Sequence, residues 1–212
     1  MESFVEFART LDNDDWLTPV PCTPLWTARD LLSHVSGVPD DVLAGRVDGA
    51  ATDPWTALQV QRNADATVDE LLARWETQTD DFGAAIEAIG EFRPPLDCHS
   101  HEHDLRQALG RPGSRDSELV TSTVAALLGN LADVPVSIEV DLDDGATIEA
   151  GDPSAGDLVG LSASTFEIFR SMLGRRTRAQ VRGLEWSGDP ASIDRVVDSW
   201  FIFGPSEIAI IE

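Results

Sequence analysis

The chain of 212 residues is 42% apolar and 25% charged, a globular composition with length for one large domain or two small ones and no need of a disulfide or metal merely to fold. Fifteen basic residues against 38 acidic ones leave a net charge of −23, a field that repels phosphate backbones and anionic lipid and argues against nucleic acid or membrane partners. Every basic residue is an arginine and tyrosine is absent, which excludes Schiff-base lysine chemistry and tyrosine acid catalysis.

In chain order, Phe4, Phe7, Ala8 and Leu11 fall at i, i+3, i+4 and i+7, so residues 2–12 are predicted to form a short amphipathic helix. The same segment has neither the basic run nor the apolar core of a secretion signal, and no stretch reaches the roughly 20 apolar residues of a membrane span. The expected location is the cytoplasm, with Cys22 and Cys98 as free thiols. Three prolines in the run WLTPVPCTPLW predict an extended loop anchored by Trp16 and Trp26. Thr27 caps a second helix with Leu31, Val35 and Val38 facing inward, and Gly37 and Pro39 are expected to break or kink it.

Thr52, Asp53 and Pro54 open the longest periodic run, in which Leu58, Val68, Leu71, Leu72, Trp75, Phe82, Ile86 and Ile89 keep helical spacing to a stop at Gly90. After the helix-excluding pair Pro94 and Pro95, a fourth helix is expected to run to Gly110. Four helices imply an antiparallel bundle with one open seam. A helix near 117–131 follows, and then Val134, Val136, Ile138, Val140 and Leu142 alternate as a half-buried strand. Asp144 and Gly145 signal a hairpin turn into ATIEA, and LVGLS is a candidate third strand. Ser164 and Glu167 read as a capping box on a helix ended by Gly174. The predicted fold class is α+β, with domains at 1–113 and 114–212.

The histidines say where chemistry can sit. Three of the four, His99, His101 and His103, lie within five residues, and the other is His34. Side chains four apart share a helix face. The Asp97/His101 face continues into Leu105 and Ala108, the apolar stripe, so it is expected to point inward. The His99/His103 face continues into Arg106 and Gly110 and reads as solvated, although it can recruit metal adventitiously. His34 borders the core beside Leu31 and Val38. Two imidazoles and a carboxylate from two helices suit a divalent transition metal, most simply Zn²⁺, with an open fourth position for water or thiol. The same residues equally suit core histidines bonded to backbone, with Asp97 favoured by the helix dipole. Cys98 reads as an inert helix thiol, and Arg29 with Asp30 as a structural ion pair.

The strings PCTPLWTARDLLSHVSG, QVQRNADATVDELLARWE and HEHDLRQALG resemble the N-terminal domain of the mycothiol-dependent maleylpyruvate isomerase family, part of the DinB-like superfamily of actinobacteria. FEIFRSMLGRRTRAQVRGLEWSGD is similar to that family's sterol-carrier-like C-terminal domain. The resemblance implies a DinB-like four-helix bundle holding a divalent metal through His34, Asp97 and His101, with aspartate standing where the family usually has glutamate, followed by a smaller sterol-carrier-like α+β domain. It also implies mycothiol or a similar low-molecular-weight thiol as cofactor. In that chemistry a metal-bound thiolate adds to a cis double bond conjugated to a carbonyl, and rotation and elimination give the trans isomer. A functional arginine in the second domain is implied as well; Arg175 is the first candidate, with Arg176 and Arg178 as alternatives and helix C-terminal capping as the competing role. The expected function is thiol-dependent isomerisation or S-transfer on a small carbonyl or carboxylate substrate such as maleylpyruvate, in a monomer or homodimer. The alternative is a non-enzymatic module for a small apolar ligand with a vestigial metal site.

Overall fold

The computed structural model describes residues 2–212. The chain divides into two compact units, Met1–Gly113 and Ser114–Glu212.

In the first unit, α1 (Glu2–Ala8) and a 3₁₀ turn at Asp15–Leu17 precede α2 (Ala28–Leu43), α3 (Asp53–Arg62), α4 (Val68–Ile89) and α5 (Arg93–Ala108). The expected first helix stops at Ala8, short of Leu11. The proline-rich loop is tied across its base by a bridge between Pro19 and Thr27. Thr27 and Asp30 then start α2 with a reciprocal capping box, in which the Thr27 side chain accepts from the Asp30 N–H and the Asp30 carboxylate accepts from the Thr27 N–H.

Of the two outcomes expected at Gly37 and Pro39, a break does not occur: α2 runs through Pro39 to Leu43. A proline removes one helical hydrogen bond, but the turn beyond it is anchored from outside. Gln78 Nε2 donates to Asp40 (2.7 Å), and Asp41 accepts from Gln59, Arg46 and Arg62. The long periodic run also differs from its prediction. It is two helices, because Thr67 and Glu70 form a second capping box that restarts the chain at Val68, so the four expected helices become five among the described residues. Leu58 and Ile89, expected in the core, are exposed. Pro94 and Pro95 do not precede α5 but occupy its first turn, where an N–H has no intrahelical partner to lose.

The core of this unit joins Phe4 and Phe7 of α1, Trp16, Leu31, Leu32 and Val35 of α2, Leu71 and Trp75 of α4, and Leu105 of α5. Helix α2 is the hub, packed against α3, α4 and α5, while α1 lies against α5. Gly37 permits the α2–α3 approach: a Cβ there would stand 2.9 Å from the Gln59 Cβ.

In the second unit, α6 (Glu118–Leu128) and a 3₁₀ turn lead into β1 (Ser137–Leu142), β2 (Thr147–Gly151) and β3 (Leu158–Ala163). After these come α7 (Thr165–Met172), α8 (Arg178–Arg182), β4 (Glu185–Ser187) and α9 (Pro190–Ser199). The sheet order is β2-β1-β3-β4, with β1 antiparallel to β2 and parallel to β3, and β3 antiparallel to β4. Ile138 and Val140 are fully buried while Glu139 and Asp141 face out, the alternation that the sequence displays. Ser164 caps α7 by accepting from the Glu167 N–H (3.1 Å), but the Glu167 carboxylate turns to Arg176 rather than closing the box. Gly174 ends that helix at φ +82°.

Candidate metal centre

His34 sits on α2 with a ring that is 2% exposed. Its Nδ1 lies 2.6 Å from Gln59 Oε1, and Gln59 Nε2 donates to Asp41 Oδ2 at 2.9 Å. Because the amide nitrogen of Gln59 is committed to a carboxylate, its oxygen is the end that faces the ring. His34 Nδ1 is therefore the donor to the amide, and Nε2 is the ring atom turned toward Asp97. Burial pushes the Asp41 carboxyl up, yet the bonds from Arg62, Arg46 and Gln59 together hold it below the usual carboxylate range. An ionised Asp41 fixes the amide, and the amide fixes the imidazole.

His101 is set in the same way by a residue of its own helix. Its Nδ1 donates to Asp104 Oδ2 at 2.9 Å, and Asp104 is fully buried. Both Nε2 atoms then converge on Asp97: His34 Nε2 is 3.2 Å from Oδ2 and His101 Nε2 is 3.5 Å from Oδ1. The three ligand atoms lie within 4.8 Å of one another. Imidazoles oriented from behind by carboxylate or amide partners are the outer arrangement typical of histidine metal ligands. Two imidazoles and one carboxylate also form a donor set that a divalent ion takes with a coordination position to spare. The residues present fit such an ion. The Asp97 side chain is 42% exposed, so it forms the solvent-facing lip of the centre rather than part of an inner wall. Trp26 lies over the group, its ring centroid 5.1 Å from His34 and 6.1 Å from His101, and Trp55 meets His34 edge-on at 6.4 Å.

Residues 1–96 match the family model of the mycothiol maleylpyruvate isomerase N-terminal domain. Across those residues the N-terminal unit is similar to that domain. No curated protein and no solved structure matches the chain. The match to the isomerase domain includes His34 and stops one residue before Asp97, so the geometry of α5 is what places the second and third ligands.

The other candidates fare variously. His99 and His103, expected on a solvated face, are buried at 7% and 2% exposure, because α5 packs against α1 as well as α2. Burial pushes the Cys98 thiol up to about 12, which makes it inert as expected. Arg29 and Asp30 have separate tasks: Arg29 donates to Ser33 and to the carbonyls of Asn63 and Ala66, while Asp30 belongs to the α2 cap. In the second unit Arg175 donates to the Leu173 carbonyl at 2.6 Å. Arg176 is 5% exposed and paired with Glu167 and Glu212, and Arg178 pairs with Asp198. Sequence reasoning missed Gln59, Asp41 and Asp104, the residues that orient the imidazoles. Only Asp104, three residues from His101, left a local signal.

None of the helices among the described residues is long and apolar enough to cross a membrane.

Proposed function

We propose that the chain is a metal-dependent enzyme that uses a low-molecular-weight thiol of the mycothiol type for isomerisation or S-transfer on a small carbonyl or carboxylate substrate such as maleylpyruvate. The observation that carries this reading is the convergence of two imidazole nitrogens and one carboxylate oxygen within 4.8 Å, in a unit similar to the isomerase N-terminal domain. His34, Asp97 and His101 hold the ion, Zn²⁺ being the simplest choice for this donor set. Bound there, the ion supplies Lewis acidity that brings the pKa of an incoming thiol toward neutrality.

The chain's own residues do the positioning. Gln59 and Asp104 keep both Nε2 atoms toward the centre, and Trp26 and Trp55 shield the His34 flank from water. Asp97 marks the side from which thiol and substrate enter. Cys98 stays protonated in its buried setting, so the nucleophilic sulfur comes from an external thiol. For the substrate carboxylate we put forward Arg175, the arginine that the family resemblance places first, with Arg176 and Arg178 held in ion pairs to Glu167, Glu212 and Asp198. The second unit, a mixed four-stranded sheet with helices, is read as the sterol-carrier-like α+β partner. The test is turnover of maleylpyruvate by metal-loaded protein with and without mycothiol. Thiol-dependent isomerisation that vanishes in His34→Ala and His101→Ala is expected; turnover that ignores the thiol, or none at all in fully loaded protein, overturns the proposal.

A further inference from the structure

Helix α5 carries a second imidazole pair on the side turned away from His101. His99 and His103 stand one turn apart, 7% and 2% exposed, with ring centroids 4.7 Å apart and planes at 80°. Their Nε2 atoms are 3.3 Å from one another. Two nitrogens bound at 2.0–2.1 Å to one tetrahedral ion lie about 3.3–3.4 Å apart. The pair already has the separation that a shared ion sets. The centroids lie farther apart than the nitrogens, so the nitrogens are the atoms that face one another.

The carboxylate of Glu102 backs this pair as Asp104 backs His101. Glu102 Oε2 is 3.3 Å from His99 Nδ1, while its Oε1 accepts from Ser3 Oγ at 2.7 Å and from Arg106 Nε at 2.9 Å. An acceptor on the Nδ1 side keeps the ring proton there and leaves the lone pair on Nε2. Arg106 balances the Glu102 charge.

We propose that His99 and His103 form a second divalent-metal site, for a late first-row ion such as Zn²⁺, Ni²⁺ or Cu²⁺, with water completing the coordination. Imidazole donors favour these ions over Mg²⁺ or Ca²⁺. An ion there bridges positions i and i+4 of the helix turn that also presents Asp97 and His101. It staples a helix whose sequence, RPPLDCHSHEHDLRQA, is polar around most of its circumference and draws little stability from an apolar stripe. The site is independent of the proposed reaction.

The test uses full-length protein stripped of metal and titrated with Zn²⁺ and Ni²⁺. Four histidines are present in the chain, so the double variant His34→Ala/His101→Ala retains only this imidazole pair. That variant is expected to bind one equivalent and to melt at rising temperature as Zn²⁺ is added, since an ion that binds only the native state stabilises it. Parallel titration of His99→Gln/His103→Gln is expected to show one equivalent fewer than the parent. A His34→Ala/His101→Ala variant that binds no ion and gains no melting temperature overturns the site, as does an unchanged stoichiometry in His99→Gln/His103→Gln. Should the glutamine variant fail to fold, the alanine variant decides alone. Absence of thiol-dependent turnover, which would sink the proposed function, leaves these stoichiometries as they are.

Discussion

Replacing Gln59 by leucine tests whether the buried chain from Asp41 to His34 prepares a ligand. Gln59 is fully buried and touches neither Asp97 nor His101 through any hydrogen bond seen among the described residues; its bonds go to His34 Nδ1 at 2.6 Å and to Asp41 at 2.9 Å. Leucine keeps the bulk and removes the acceptor. The ring then has two choices. It retains the proton on Nδ1 as an unpaired buried donor, which costs about 1–3 kcal/mol, or it moves the proton to Nε2 and gives up the lone pair that the ion requires. Either way the loss falls on the metal-bound state. At about 1.4 kcal/mol per decade this corresponds to a weakening of about 5- to 140-fold, which brackets the roughly 10- to 100-fold range known for lost outer-shell partners.

Asp41 retains Arg46 and Arg62, so the variant does not strand a charge. The assay is competition of metal-stripped protein with a chromophoric chelator for Zn²⁺, performed in the His99→Gln/His103→Gln background so that one site is read. His34→Ala gives the floor. If Gln59→Leu holds Zn²⁺ within twofold of the parent while His34→Ala does not, the tautomer argument is wrong. If neither variant changes affinity, the centre itself is.

Further outcomes follow from the same geometry. Gly37→Ala places a methyl 2.9 Å from the Gln59 Cβ and 3.3 Å from Asn63 Nδ2; overpacking of this kind costs about 1–3 kcal/mol, read as a lower midpoint in urea, together with weaker metal binding as Gln59 shifts. For Glu102, burial pushes the carboxyl up but bonds from His99, Ser3 and Arg106 bring it down to about 2 from 4.5. With the folded value below the unfolded one, the stabilisation is complete above about pH 4.5 and is lost as the pH falls toward 2, so Glu102→Gln is expected to flatten that stretch of the stability curve measured by circular dichroism. Cys98, pushed up to about 12, should resist iodoacetamide at pH 8 in the native protein and react in urea, with peptide mapping as the readout. Asp97→Asn should weaken Zn²⁺ binding while sparing the fold, since its side chain is 42% exposed and lies at the lip.

The parts legible in the sequence are those written locally. The alternation of Ile138 and Val140, the Thr27 cap and the i, i+4 relation of Asp97 to His101 each depend on neighbours within one turn or one strand. The break between α3 and α4 was also local, but Thr67 and Glu70 were masked by apolar residues that keep their period across the gap. Pro39 misled because what holds its helix turn comes from Arg62, 21 residues beyond Asp41, and from Gln78 on α4.

The solvated face expected for His99 and His103 has a more general origin. A helix on the rim of a unit buries one stripe, and for such a helix the choice of Asp97 and His101 as the inward pair obliges His99 and His103 to face water. Helix α5 packs on two sides instead, against α2 and against α1. Its polar residues are therefore satisfied pairwise inside the protein: His101 with Asp104, His99 with Glu102, and Glu102 with Arg106. Each pair is spaced by three or four residues, so the pattern was present in the sequence as a ladder of imidazoles and carboxylates. What the ladder could not reveal was that a second helix would cover it, and that covering turns a row of solvated pairs into two sets of fixed imidazoles.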